Sequence, residues 1–376
     1  MIDYDKLSSE IIQYRRDLHQ IPELGFCVYK TNTYVHNVLQ SLNCSVENIL
    51  ETGIIAYFDF GKEETIAFRA DMDALPITEK TGLPFASVHE GCMHACGHDG
   101  HMASLLGFAK ILDAYKRNNL DVKHNALLLF QPAEEIIEGA LKICKTDIFN
   151  QYHVKAIYGL HLWPMLEAGE IASRPGPMMA KSTAVDVTFE GVSAHCGDPD
   201  KGVDALEAAC RFVTEIYTFK SLHIKERSVL KFGKMESGTI RNAISPFTTL
   251  HGTIRTFQEK TWDALVKAMT DLGSKLETQY GVKFDLDVSH SHPAVLNHED
   301  LYTQVRPALM KLRFSELEKP VMIAEDFSFF QEKVPGVFFF LGTGTHIPLH
   351  ADTYDIDESS LITGPKLFET LFKETV

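Results

Sequence analysis

No stretch of this 376-residue chain approaches the roughly 20 consecutive apolar residues that a membrane-spanning helix requires, so none is expected. Its opening residues lack a basic stretch followed by an apolar one, and no secretory leader is read there. Positive charge is scarce. The 36 Lys and Arg stand against 51 Asp and Glu, and a net charge of −15 disfavours attraction to nucleic-acid phosphates. Cysteine is sparse and odd in number. Seven residues scattered along the chain argue against a disulfide framework and for a reducing compartment, the cytoplasm by default. What remains is an ordinary globular composition, 45% hydrophobic and 23% charged. The length exceeds the roughly 100 to 200 residues of one domain, so two are expected.

Hydrophobic spacing predicts helices over 5–18 and 31–42, strands over 54–60 and 65–69, and a helix over 101–115. A strand over 125–130, a helix over 136–144 and a strand over 155–160 follow. This alternation implies an α/β domain with a mostly parallel sheet covered by helices on both faces. From residue 181 the rhythm changes to strand 184–189, helix 204–217, strands 229–235 and 248–255, helix 261–280 and strand 282–288. That β-α-β-β-α-β order is the signature of a ferredoxin-like α+β unit. Beyond residue 293 the first rhythm returns, with a strand over 337–341 and a closing helix over 360–372. The expected organisation is a discontinuous domain, 1–180 and 294–376, interrupted by an inserted ferredoxin-like domain at 181–293.

Clusters of metal-ligating side chains follow predicted strands or open a predicted helix, where parallel α/β sheets build their sites. Asp71-Met-Asp73 follows the strand at 65–69, and Met93-His-Ala-Cys-Gly-His-Asp-Gly-His101 precedes a helix. Gln131-Pro-Ala-Glu-Glu135 ends another strand, Gly159-Leu-His161 a third, and His350 lies beyond the Gly342-Thr-Gly-Thr-His346 loop. Cys96 and His98 offer a thiolate and an imidazole around a glycine that permits a tight turn. Of Glu134 and Glu135, one carboxylate can bind metal while its neighbour carries protons. The plainer accounts are a His-rich capping loop, a solvated Glu pair at a helix start and unremarkable loop histidines. With Cys96, His98, Glu135, His161 and His350 there are donors enough for one or two divalent ions, Zn, Mn, Co or Ni. Asp71 and Asp73 orient ligands or bridge ions, unless they form an exposed acidic turn. His94 and His101 stay open between supporting the ligands and sitting in the core.

With these residues in place, the sequence resembles the M20 metallopeptidase family, specifically its amidohydrolase branch of aminoacylases, hippurate hydrolases, auxin-conjugate hydrolases and N-acetyldiaminopimelate deacetylases. The matching segments are Arg15-Arg-Asp-Leu-His-Gln-Ile-Pro-Glu-Leu-Gly25, Arg69-Ala-Asp-Met-Asp-Ala-Leu-Pro76, the 93–101 and 131–135 clusters, and Ala324-Glu-Asp-Phe327. The resemblance implies that Cys96, His98, Glu135, His161 and His350 hold metal and that Glu134 is the general base and acid. It also implies that the inserted domain is a lid that mediates dimerisation. There His195 matches the histidine that polarises the scissile carbonyl, and Asn242 and Arg255 match residues that bind the substrate carboxylate. The chain departs from its relatives in Ile136-Ile-Glu-Gly-Ala140, where they carry a glycine-rich stretch, and in Pro348-Leu-His-Ala351. In the wider family the first cluster supplies a histidine ligand, where Asp71 and Asp73 stand here.

The expected activity is metal-dependent deacylation of a small N-acyl amino acid, Glu134 taking the proton of the attacking water and His195 steadying the oxyanion. The competing readings are a dipeptidase or aminopeptidase with the same metal centre and a noncatalytic metal-binding dimer.

Overall fold

The strands Thr65–Asp71, Asn125–Gln131 and Gly336–Gly342 are buried at every position, as strands enclosed on both faces must be. The computed structural model describes residues 2–376. These three strands belong to an eight-stranded sheet in the order Ser45–Ile49, Gly53–Phe58, Asn125–Gln131, Thr65–Asp71, Val154–Trp163, Gly336–Gly342, Ile171–Ser173, Phe314–Glu316. The four central strands run parallel. Antiparallel pairing appears where Gly53–Phe58 joins Asn125–Gln131 and Ser45–Ile49, and where Ile171–Ser173 joins Gly336–Gly342. Four neighbouring parallel strands present their carboxyl ends at one edge, and the chemistry-bearing clusters gather beyond them.

The helix His98–Arg117 is buried on nearly every side, its core residues including Met102, Leu105, Leu106, Phe108, Ile111 and Leu112. A helix buried on almost every face belongs in the middle of a protein. The helices Tyr4–His19 and Thr363–Glu374 pack against it. Gly97 precedes it at φ +85, and a Cβ there would meet the Tyr354 hydroxyl at 3.0 Å and the Leu162 side chain at 3.2 Å.

The chain divides into two units, the first comprising residues up to Met178, Val295–Pro320 and Glu325–Val376. The second comprises Met179–Ala294 and Val321–Ala324. Its sheet is antiparallel in the order Lys283–Asp287, Lys181–Glu190, Phe247–Thr256, Val229–Ser237, with helices Ala205–His223 and Glu259–Tyr280. Thr183, Val185, Val187 and Phe189 alternate into a separate core with Phe212, Ile254, Leu265 and Met269. The short segment Val321–Ala324 joins this unit through the Ala180 N–H, which donates to the Ile323 carbonyl at 3.0 Å.

Among the described residues no helix is long and apolar enough to cross a membrane. One expected helix is much shorter than its spacing suggests. In place of 136–144 only Gly139–Ile143 is helical, because Ala133 at φ +63 and Ile137 at φ +59 wind residues 133–138 into a turn. The strand Ser45–Ile49 and the helix Glu299–Leu309 add to the expected elements. The strand is mostly exposed and the helix contains Pro307, so neither carries a clean periodic signal.

Candidate metal centre

His98 is the first residue of its helix, and its Nδ1 lies 2.7 Å from the Asp73 carbonyl oxygen. A carbonyl only accepts, so Nδ1 carries the proton and Nε2 is left with a free lone pair. That Nε2 is buried and without a partner. His161, near the end of the strand Val154–Trp163, repeats the device. Its Nδ1 donates to the Leu162 carbonyl at 2.7 Å, and Nε2 lies 3.4 Å from the Cys96 sulfur. Glu135 Oε1 is also buried and unpartnered, 3.8 Å from His98 Nε2 and 3.7 Å from His350 Nε2.

Two trios share Cys96. Cys96, His98 and His161 place their ligand atoms within 4.8 Å of one another, as do Cys96, Glu135 and His350. Buried atoms such as His98 Nε2 and Glu135 Oε1 that converge without a hydrogen-bond partner are costly unless a cation meets them. The mixture of sulfur, nitrogen and oxygen donors suits a divalent ion. Burial holds His98 at a pKa of about 3 and His161 well below the usual range, so both rings are neutral, as ligands must be. Burial, with Glu135 and Glu134 alongside, pushes the Cys96 thiol well up, and burial with Asp73 raises Glu135 to about 8. A bound cation reverses the sense of both shifts.

Asp71 and Asp73 are fully buried, which removes the exposed-turn account. Asp73 accepts the backbone N–H of Glu134 at 2.9 Å and of Glu135 at 3.2 Å, so it fixes the acidic pair while its main chain orients His98. Asp71 accepts from His101 Nδ1 at 2.6 Å and from Arg69 at 2.8 Å. Burial opposes its charge, but His101 and Arg69 outweigh burial and hold it well below the carboxylate range. The Leu162 N–H donates to His101 Nε2 at 2.8 Å, so both nitrogens of that ring are engaged. Although Asp71, His98 and His101 also converge, His101 has no lone pair left for an ion. His94 is buried with neither ring nitrogen partnered.

Glu134 is only 9% exposed, and burial together with Glu325, Asp326 and Glu135 drives its carboxyl well above the ordinary range. A group with raised proton affinity is suited to carrying a proton. Beneath it Arg69, fully buried, contacts Gln131 at 2.7 Å, Asp326 at 2.8 Å and Glu325 at 3.0 Å. Asp326 in turn accepts from Gln131 Nε2 at 2.7 Å and from the Ala140 N–H at 3.0 Å, clamping the 131–140 loop at both ends. Arg69, Glu325 and Asp326 fall in segments that match the family but are assigned no role by the sequence. The available signals were an arginine inside an otherwise apolar strand and the Ala324-Glu-Asp-Phe327 match.

Cys96, His98, Glu134, Glu135, His161 and His350 all belong to the first unit; His195, Asn242 and Arg255 belong to the second. His195 is exposed, and its backbone pairs with Ala243, next to Asn242. The Cys196 N–H donates to the Asn242 carbonyl at 3.1 Å, so His195 and Asn242 lie on adjoining segments. Arg255 is half-buried and donates to the Met322 carbonyl at 3.0 Å, with no ion pair among the described residues.

A family model described as Peptidase family M20/M25/M40 matches residues 67–374. The chain belongs to the M20 family. This M20 chain is 36% identical over 372 residues to an N-acetyldiaminopimelate deacetylase of Streptococcus sanguinis, covering 96% of this chain and 95% of that one. It is 35% identical over 361 residues to a Lactococcus lactis protein of the same name, covering 93% and 94%. Its fold matches the crystal structure of a dinuclear metal-binding M20 peptidase from Bacillus subtilis at a TM-score of 0.87 and 30% identity, covering 99% of this chain and all of that one. As an M20 member with this donor set, it is a metal-dependent amide hydrolase.

Proposed function

We propose that this M20 hydrolase removes the acyl group from N-acyl amino acids, with N-acetyldiaminopimelate the first substrate to test. The observation that carries the reading is the convergence of bare His98 Nε2 and Glu135 Oε1 beside Cys96 and His161, with Glu134 poised alongside. Cys96, His98, Glu135, His161 and His350 would hold one ion in each of the two trios, Cys96 being shared. A divalent ion supplies Lewis acidity, polarising a carbonyl and acidifying water. Glu134, with its raised proton affinity, accepts the proton of the attacking water and delivers it to the departing nitrogen. Asp73 keeps Glu134 in place through the two backbone amides it holds. His195 steadies the oxyanion, and Arg255, with most of its N–H groups unspent, takes the substrate carboxylate together with Asn242. The reading includes a homodimer through the second unit and a cytoplasmic setting, where the seven free cysteines stay reduced.

The experiment is purification without chelator, measurement of bound metal, and assay of amine release from a panel of N-acyl amino acids with added Zn, Mn, Co or Ni. Metal-dependent release from one acyl amino acid is the expected result, its side chain naming the substrate. The description of the Bacillus relative as a peptidase favours a second reading, dipeptide cleavage at the same centre. Release from dipeptides alone would replace the first reading with the second.

A further inference from the structure

The Arg15–Gly25 segment takes no part in the chemistry above, yet it reaches the metal centre from behind. Arg15 sits on the helix Tyr4–His19 with its side chain 1% exposed, and its guanidinium engages three carboxylates. Nε lies 3.0 Å from Asp99, Nη2 3.0 Å from Asp355 and Nη1 3.1 Å from Glu358. Asp99 directly follows His98, whereas Asp355 and Glu358 lie just beyond His350 in the chain. One side chain therefore ties together the two segments that carry donors. His19 braces the same point, with Nδ1 2.7 Å from Asp99 and Nε2 3.3 Å from Glu79.

The two trios are held differently. Cys96, His98 and His161 are buried, on a strand end and at the start of the central helix. His350 stands on a loop at φ +65 with its side chain 52% exposed, a backbone conformation that costs energy for any residue but glycine. The loop is fastened by the His350 N–H to the Ala95 carbonyl at 2.8 Å, by the Lys80 N–H to the Asp352 carbonyl at 2.7 Å, and by Arg15. Arg16 also pairs with Glu358 and Lys80 with Asp352, each at 2.6 Å and from less buried side chains, whereas Arg15 is the buried charged anchor, its planar fork reaching three acceptors in a way a lysine cannot.

We infer that Arg15 is a positioning residue for one of the two metal positions: it locks the His350 loop to the head of the His98 helix and so sets occupancy of the Cys96–Glu135–His350 trio, leaving the Cys96–His98–His161 trio unaffected. This rests on the five-donor reading given under Proposed function. The loss of a residue that orients a ligand lowers metal affinity by about 10–100-fold, and here that loss falls on one ion of the two.

The test uses the full-length protein, stripped with chelator and titrated calorimetrically with Mn, with bound metal counted by mass spectrometry. The variants are Arg15→Gln, Arg15→Lys and the double variant Asp355→Asn/Glu358→Gln, which keeps the Arg15–Asp99 pair and serves if the Arg15 variants fail to fold. Wild type should bind two equivalents. In Arg15→Gln and the double variant the tighter equivalent should hold within about threefold while the weaker loses about 10–100-fold, with Arg15→Lys between. A merely structural role would weaken both equivalents together. Equal weakening, no change in the double variant, or a single equivalent in wild type each overturns the inference. Wild type that binds two ions but cleaves no acyl amino acid defeats the proposed activity and leaves this inference standing, because the titration reads metal alone.

Discussion

Glu134 and Glu135 are neighbours in the chain and receive opposite surroundings. Ala133, at φ +63, turns the backbone so that Glu135 faces His98 and His350, while Glu134 sits among Glu325 and Asp326 above Arg69. Glu134→Gln keeps the shape and removes the proposed proton carrier. Turnover should fall by about 10²–10⁴ with bound metal unchanged, and metal lost in step with activity would instead make Glu134 a ligand. The candidate donors were legible because each follows a strand end or opens a helix, a pattern visible from hydrophobic spacing alone. The tautomers that bare His98 Nε2 and His161 Nε2 were not. They depend on two carbonyls, of Asp73 and Leu162, whose positions only the folded backbone defines.

At the scale of elements, the strand Thr65–Asp71 carries a cation into the core. Arg69 balances Asp71, Glu325 and Asp326, and its removal leaves buried carboxylates without a counter-charge. Arg69→Met should therefore cost about 3–5 kcal/mol in denaturant unfolding, and a change under about 1 kcal/mol would mean that those carboxyls are protonated in the native state. The helix Tyr4–His19 offers a pH test. Burial works against the charge of His19, but Asp99 and Glu79 outweigh burial and hold it at about 9, above its ordinary 6.5. A raised folded pKa contributes stability that is complete below 6.5 and disappears as pH rises through 9. The difference in melting temperature between wild type and His19→Gln should be largest below pH 6.5 and shrink towards pH 9. A difference independent of pH would remove the charge of His19 from the account. Elements with clean periodicity were legible, whereas the turn at 133–138 was hidden behind the apolar run Ile136-Ile137, which reads as helix until Asp326 is seen holding the Ala140 N–H.

For the whole molecule, the chain divides into two compact units, and the second includes the small Val321–Ala324 segment, far along the chain from its neighbours. Separate cores imply separable unfolding. In the second unit the helix Glu259–Tyr280 packs Gly273 directly on the Phe284 ring, where a Cβ would collide. Gly273→Ala should destabilise that unit by about 1–3 kcal/mol, moving one of two calorimetric transitions and leaving the other in place. Movement of both together would show that the two units unfold as one.

The position of the strand Gly336–Gly342, between Val154–Trp163 and Ile171–Ser173, bears on how the molecule is made. On the ribosome the five strands from Ser45–Ile49 to Val154–Trp163 emerge early, but the gap beside Val154–Trp163 stays open until the chain beyond residue 342 has been synthesised. During that interval the nascent protein presents the apolar flank of an unfinished parallel sheet while the inserted unit is already complete. For that interval the unpaired edge of Val154–Trp163 is a template on which another chain can add a strand.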